Sequence, residues 1–146
     1  MLTATQRIRV QWSHCDPARI IFNPHYYIWM DQGAHSLLEA AGFPYARKIT
    51  EPGFRGCPLV TSGMNFVKPA FYGDLLLLSS FVDKFGTKSF TVRHTFHRDG
   101  TLLAEGHEVR VWAVDHPDDP AAMTGVPVPD DVRTMLGRDA TVDMSA

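Results

Sequence analysis

The first regular pattern along the chain is an alternation of apolar and polar residues over positions 7–12, "RIRVQW". Ile8, Val10 and Trp12 stand at every second position and are separated by arginine and glutamine, which is the period of a half-buried β-strand. The pattern therefore predicts a first strand over residues 7–12 whose apolar side chains share one face.

The next segment predicts a long helix. Asn23 followed by Pro24 is typical of a helix start, because Asn can cap free N–H groups and Pro suits the first helical position. Gly42 and Pro44 are typical of its end. The intervening apolar positions at helical spacing are Tyr26, Tyr27, Trp29, Met30, Gly33, Ala34, Leu37, Leu38, Ala40 and Ala41, and the polar stripe consists of Asp31, His35 and Glu39. Since so little of the circumference is polar, we expect this helix to lie mostly buried against a broad sheet.

Four further strands are predicted downstream, at about 60–68, 74–85, 89–98 and 102–115. Asp99-Gly100 is a hairpin-turn dipeptide between the last two of them. The tail, rich in Pro and Asp, predicts one short helix over 129–136 and a flexible end over 137–146. One long helix with a run of antiparallel strands predicts an α+β hotdog fold, in which an antiparallel sheet wraps around a central helix.

Length and composition place the chain among ordinary soluble domains. A chain of 146 residues can bury a core as one domain, which we assign to residues 1–136. Hydrophobic residues make up 45% and charged residues 21% of the sequence, values typical of globular proteins. The net charge of -2, with the 14 basic residues dispersed, weighs against a nucleic-acid partner.

The two cysteines, Cys15 and Cys57, have no regular spacing and predict neither a disulfide framework nor a thiolate metal site. The N-terminus lacks the basic and apolar regions of a secretory leader. The longest aliphatic run, residues 75–78, is too short to span a bilayer. We therefore expect a cytoplasmic protein without a metal or a membrane partner.

Asp16 is the first candidate for chemistry. An Asp followed by Pro17 is common in loops, so a simple turn residue is one interpretation. In the other, Pro17 holds the carboxylate partly desolvated near the helix start, where its reactivity as a base or nucleophile rises. Helix N-termini present free N–H groups and a positive dipole end, which can polarise a carbonyl oxygen. The candidate donors are the amide of Asn23 and those of the first turn beyond Pro24, and together with Asp16 they outline an acyl-transfer site.

The same stretch, "CDPARIIFNPHYYIWMD", resembles the DCDPAGIV-x-YPNY-x-x-W-x-D signature of the 4-hydroxybenzoyl-CoA thioesterase family of hotdog enzymes. Further matches follow in order along the chain: "GFP" at 42–44, "G-x-P-x-V" at 56–60, "FV" at 66–67, "KSF-x-x-RH" at 88–94 and "E-x-RV-x-A" at 108–113. The resemblance therefore covers most of the chain.

The resemblance implies hydrolysis of an acyl-CoA thioester, with an aromatic acyl group and no cofactor. Asp16 would act as nucleophile or general base, and the backbone N–H of Asn23, where the family usually carries Tyr, would bind the thioester oxygen. Trp29 and Asp31 match the W-x-D positions, where the acid lies near the ring hydroxyl of an aryl substrate. By helical spacing, Asp31 could equally be a solvated acid on the polar stripe.

Lys88 and Ser89 match a basic K-S pair that implies a contact with the CoA phosphates, although Gly86 and Thr87 stand where some members carry arginines. A single surface lysine is more often a solvated charge. His94 and His97 are three apart on a strand, so they would point to opposite faces and are not expected to share a metal.

Several alternatives stay open at this stage. Arg110 alternates with apolar residues and is interpreted as an outward-facing strand residue, and His25 is the one histidine near Asp16 that a hotdog hydratase could use. A second enzymatic function that fits the sequence is a thioesterase acting on aliphatic or carrier-protein-bound acyl groups. A function of a different class is a non-catalytic module that binds acyl thioesters. The open sheet edge and leftover apolar surface favour a homodimer or homotetramer, and the resemblance implies sites at the subunit interface.

Overall fold

The computed structural model describes residues 1–145, and its centre is one long helix, α1 (Pro24–Ala40), packed on a six-stranded sheet. The other elements are β1 (Leu2–Arg9), a 3₁₀ turn (Trp12–His14), α2 (Tyr45–Lys48), β2 (Phe54–Gly56), β3 (Leu59–Phe66), β4 (Leu75–Phe85), β5 (Ser89–Arg98), β6 (Thr101–Val111), β7 (Ala113–Asp115), β8 (Met123–Gly125), α3 (Asp130–Gly137) and β9 (Ala140–Asp143). This arrangement confirms the predicted hotdog architecture.

The main sheet has the strand order β3-β6-β5-β4-β1-β9, so β3 is one of its two edge strands. All neighbouring pairs run antiparallel except β1 and β9, which run parallel. The β5–β6 hairpin closes at Asp99 and Gly100, whose φ angles of 50° and 80° confirm the predicted turn. The α3 helix matches the helix predicted near 129–136.

The first strand, Leu2–Arg9, begins and ends earlier than the predicted range of 7–12. The apolar–polar alternation continues beyond Arg9, but the strand does not. β1 pairs with β4 from Thr3 to Arg9, and β4 begins at Leu75, the partner of Arg9. Trp12 instead lies in the 3₁₀ turn with 71% of its surface exposed, so its predicted place on the core face is wrong.

The predicted strand over 102–115 is divided between two sheets. β6 ends at Val111, and β7 pairs with β2 and β8 in a separate three-stranded sheet. Trp112 lies at the junction, 4% exposed, with its ring 4.9 Å from that of Phe43 and 5.0 Å from that of Phe54. The chain therefore passes from one sheet to the other at a buried indole that packs on two aromatic rings.

Residues 137–146 were predicted to be flexible, but within the described part of the chain they contain a strand. β9 pairs with β1 from Leu2↔Ala140 to Thr5↔Asp143, and the Met144 N–H continues this contact to the Thr5 carbonyl at 2.7 Å. The free edge of β1 supplies these hydrogen bonds, which is why a short polar segment becomes ordered there.

The face of α1 that packs on the sheet is narrower than predicted. Gly33 lies directly over β4 and β5, where an added Cβ would stand 2.5 Å from Ser80 Oγ and 3.3 Å from His94 Nδ1. On the opposite side Tyr27 is 39% and Ile28 51% exposed, so the prediction that Tyr27 joins the buried face is wrong. No helix within residues 1–145 is long and apolar enough to cross a membrane.

Candidate active site

A tight turn fixes Asp16 ahead of α1. The Asp16 carbonyl accepts the Arg19 N–H at 2.8 Å, and the Asp16 N–H donates to the Ile20 carbonyl at 3.1 Å. Arg19 adopts a left-handed conformation with φ of 66°, which is costly for a residue with a Cβ and closes the turn. A β-bridge between Cys15 and Ile21 joins the two ends of this segment. The backbone around Asp16 is therefore held on both sides.

The Asp16 carboxylate has one engaged and one open oxygen. Oδ1 accepts the N–H of Ala18 at 2.8 Å, whereas no described residue donates to Oδ2. Asp16 lines a cavity of about 460 Å³, whose other walls come from Ile20, Ile21, Asn23, Tyr26, Phe66, Val67, Lys68, Pro69 and Ala70. A carboxylate with a free oxygen thus lies at the wall of a largely apolar cavity large enough for a small ligand.

The first turn of α1 supplies one free amide. The N–H groups of Phe22, His25 and Tyr26 donate to the carbonyls of His14, Phe22 and Asn23, at 2.8, 3.0 and 3.1 Å respectively. Pro24 has no N–H, and the described residues offer the Asn23 N–H no acceptor. Asn23 itself has helical dihedrals and no side-chain cap, so its predicted capping role is wrong. Among the predicted donors, the Asn23 amide is the one left free, at the positive end of the helix dipole.

The structure brings Asp16 and Asn23 to one cavity, and it adds two polar residues that the sequence patterns did not single out, Tyr26 and Lys68. Tyr26 was assigned to the apolar face, since its spacing is that of a core residue. Lys68 arrives through the segment after β3, which lies against the turn before α1 and is tied to it by the Ile21 N–H donating to the Ala70 carbonyl at 3.1 Å. Such a long-range contact has no local sequence signal.

The other four predicted site residues do not line this cavity. Trp29 is buried, 6% exposed, with its ring 5.7 Å from that of Tyr26 and 5.0 Å from that of His14. Lys88 is exposed in the β4–β5 connection, and Ser89 begins β5. Asp31 lies on another side of α1, where its carboxylate accepts a hydrogen bond from Arg110 at 2.6 Å.

Arg110 was interpreted as outward-facing, but it is only 4% exposed and lies between the sheet and α1, so that interpretation is wrong. Its guanidinium donates to Glu108 Oε2 at 2.7 Å, to the Cys57 carbonyl at 2.9 Å and to Asp31. Burial alone would raise the pKa of Glu108, but His94 and Arg110 together hold it below its usual value. The group is a buried ion network that joins β6 to α1.

The histidines do not form a metal centre within residues 1–145, where no group of metal-ligating side chains occurs. His94 is fully buried on β5, and its Nδ1 shares a 2.8 Å hydrogen bond with Ser80 Oγ. His14 lies with its ring 5.0 Å from that of His25, and burial followed by the charge of His25 lowers the His14 pKa. His25 does not line the cavity that contains Asp16.

Comparisons with known proteins identify the family to which this chain belongs. A family model described as the thioesterase superfamily matches residues 19–105. The 4-hydroxybenzoyl-CoA thioesterase of Pseudomonas sp. (strain CBS-3) is 31% identical to this chain over 117 residues, which cover 76% of this chain and 83% of that protein.

Solved structures agree with the sequence comparison. The structure of 4-hydroxybenzoyl-CoA thioesterase from Pseudomonas sp. strain CBS-3 matches with a TM-score of 0.81 at 27% identity, covering 91% of this chain and 98% of that chain. A gentisyl-coenzyme A thioesterase matches with a TM-score of 0.78 at 32% identity, covering 90% of this chain and 98% of that chain. The chain therefore belongs to the thioesterase superfamily, with its hotdog fold, and is a thioester hydrolase.

Proposed function

We propose that this protein hydrolyses an aromatic acyl-CoA thioester, of the 4-hydroxybenzoyl-CoA kind, to the free acid and CoA. The observation that carries the proposal is the pairing of two open groups on one cavity wall. Among residues 1–145, nothing donates to one carboxylate oxygen of Asp16 and nothing accepts from the amide N–H of Asn23. Thioester hydrolysis can use two such groups: one that attacks the carbonyl carbon or activates the attacking water, and one that stabilises the oxyanion.

In the proposed reaction the thioester carbonyl oxygen accepts a hydrogen bond from the Asn23 N–H, at the N-terminus of α1. Asp16 either attacks the carbonyl carbon directly or removes a proton from a water molecule that attacks it. The carbonyl electrons move onto oxygen, and the carbon–sulfur bond breaks as the carbonyl re-forms. CoA leaves as a thiolate. After direct attack the acyl group is held as an anhydride with Asp16, and water hydrolyses this anhydride to the free acid and restores the carboxylate. After attack by water the free acid forms in one step, and the proton that Asp16 removed passes to the departing thiolate.

The aromatic substrate class is supported by the cavity and by the relatives. The cavity wall contains the rings of Tyr26 and Phe66 together with Ile20, Ile21 and Val67. Relatives that share the fold are described as thioesterases of 4-hydroxybenzoyl-CoA and gentisyl-coenzyme A. Both of those acyl groups are hydroxylated benzoyl groups, which a mostly apolar cavity accommodates.

The protein is proposed to work as a homodimer or homotetramer. Apolar side chains on and just beyond the edge strand β3 are half exposed or more: Leu59 50%, Val60 63%, Phe66 53% and Val67 55%. Phe66 and Val67 also line the cavity, so a second copy paired along β3 would complete its outer wall. The resemblance also proposes four substrate contacts that lie outside this cavity: Trp29, Asp31, Lys88 and Ser89. Of these, the exposed Lys88 is proposed to serve the neighbouring subunit's site.

We expect the purified protein to have a mass in solution of two or four chains, since an unpaired apolar strand edge is rarely left in water. Light scattering measures this directly against the chain mass of 16.3 kDa. Val60→Lys, which places a charge on the exposed edge, is expected to shift the population toward single chains. Thr101→Lys, an exposed position at the start of the interior strand β6, is the matched control. A single-chain mass for the wild type at micromolar concentration would contradict the proposal.

The test of function is CoA release from four thioesters: 4-hydroxybenzoyl-CoA, benzoyl-CoA, phenylacetyl-CoA and an aliphatic acyl-CoA. We expect the two benzoyl esters to be hydrolysed with the highest kcat/KM. The same acyl groups carried on phosphopantetheine without the nucleotide form a second series. Lys68 is the one cation on the cavity wall within the described residues, so equal rates on the two series would favour a carrier-protein substrate over CoA. No cleavage of any ester would favour the binding-module alternative.

A further inference from the structure

Tyr26 is a buried residue whose hydroxyl has no acceptor among the described residues. Tyr26 is 3% exposed, and no hydrogen bond joins its hydroxyl to another described residue. Of the side-chain atoms described, only Ser62 Oγ and His94 Nε2 are both fully enclosed and without a partner. The Tyr26 hydroxyl is therefore not sealed in the core, and Tyr26 lines the cavity that also contains Asp16 and Asn23. A phenol in this position can form its hydrogen bond with a ligand in the cavity.

Packing restricts the motion of the Tyr26 ring. The Tyr26 ring makes edge contacts with Trp29, Phe66 and Phe96, at centroid distances of 5.7, 5.4 and 5.0 Å. Three aromatic neighbours leave the ring little freedom to rotate. The donor is thus held in place before substrate binds, which is the condition for selectivity by a single hydrogen bond.

The phenol is also held in its donating form. Burial raises the pKa of Tyr26 to about 12. The charge of Arg98 lowers this pKa and the charge of Asp74 raises it, and both effects are smaller than that of burial. The hydroxyl therefore keeps its proton throughout the physiological range, so it can donate a hydrogen bond to an acceptor that faces it.

We infer that Tyr26 is a specificity-determining residue that donates a hydrogen bond to an oxygen substituent on the acyl group, an inference that rests on the proposed function. The nucleotide of CoA is long and charged and must extend toward solvent, on the side where exposed Lys68 stands. The acyl group then lies in the part of the cavity whose wall includes Tyr26. The rest of the cavity wall is mainly apolar. The Tyr26 hydroxyl therefore favours an acyl group that carries an oxygen acceptor over an acyl group without one.

The test uses Tyr26→Phe, which removes only the hydroxyl, and pairs of substrates of equal shape. Each methoxybenzoyl-CoA isomer, substituted at ring position 2, 3 or 4, is compared with the matching ethylbenzoyl-CoA, which lacks the oxygen. We expect wild type to prefer at least one methoxy isomer, and Tyr26→Phe to reduce that preference in kcat/KM about 10-fold, the effect of one neutral hydrogen bond. Tyr72→Phe, which removes a hydroxyl from an exposed ring outside the cavity, is the matched control and should leave the preference unchanged.

Three results would overturn the inference: no methoxy preference in wild type, the same preference in Tyr26→Phe, or an equal loss on both members of every pair. The melting temperature of Tyr26→Phe is expected to stay at the wild-type value, because the lost hydroxyl has no protein partner. If wild type cleaves none of these esters, the proposed function fails separately. Calorimetric binding of methoxybenzoate and ethylbenzoate to wild type and Tyr26→Phe then decides the role of Tyr26 in the same way.

Discussion

Asp16→Asn is expected to lower kcat for CoA release by about 10²- to 10⁴-fold if Asp16 is a general base, and by more if it is the nucleophile. The amide has nearly the shape of the carboxylate, and its oxygen can still accept the Ala18 N–H that Oδ1 accepts now. The turn and the cavity should therefore survive, with KM changed little. What is lost is the free, basic oxygen at the cavity wall.

The measurement is steady-state CoA release from the best benzoyl ester, with thermal unfolding recorded on the same samples. Asp83→Asn is the matched control, because Asp83 is a half-exposed carboxylate on the outer part of β4, paired with Arg93 at 3.2 Å. That control should retain wild-type kcat. If Asp16→Asn kept a kcat within a few-fold of wild type while remaining folded, the proposed mechanism would be refuted.

Arg110→Met is expected to lower the free energy of unfolding by about 3–5 kcal/mol, the usual cost of leaving a buried charge without its partner. Glu108 is 2% exposed and receives its shortest hydrogen bond from Arg110, at 2.7 Å. Removing the guanidinium also releases the Cys57 carbonyl and the Asp31 carboxylate. Urea unfolding monitored by tryptophan fluorescence measures the change.

The double variant Glu108→Gln with Arg110→Met separates the charge from the packing. It removes both buried charges, so it should be less destabilised than Arg110→Met alone. Arg93→Met, which breaks the exposed pair with Asp83, should change the free energy of unfolding by only about 0–1 kcal/mol. Equal destabilisation of the single and double variants would show that the loss is one of packing rather than of an unpaired carboxylate.

The residues that the sequence located correctly are those set by local chemistry. Pro24 begins α1 because its ring suits the first helical position, and Asp99-Gly100 closes a hairpin because these residues accept positive φ. Asp16 and Asn23 are seven residues apart across one tight turn, so their common cavity follows from a short loop and a helix start. Their proposed roles came from the family signature that these residues carry.

The tertiary structure decided which face of each strand meets the core, and the alternation of apolar and polar residues does not decide this. A period of two shows which residues share a face of a strand, but it does not show which face meets the core. Arg110 lies on the same face of β6 as three buried residues, Ala104, Gly106 and Glu108. Its charge nevertheless suggested that its side chain faces solvent. The ion network supplies the missing reason, since a charge can be buried when Glu108 and Asp31 accept its hydrogen bonds.

By itself, then, the sequence predicted the hotdog fold, the central helix and the closeness of Asp16 to Asn23, because turn residues, helix signals and a local motif act over a few positions. The catalytic roles of Asp16 and Asn23 stay a prediction. Only the tertiary structure decided that Tyr26 and Lys68 line the same cavity, that Ala140–Asp143 completes the sheet and that Arg110 lies under α1. Those contacts join segments tens of residues apart. They depend on which surfaces meet when the helix packs on the sheet, and no local pattern in the chain encodes that choice.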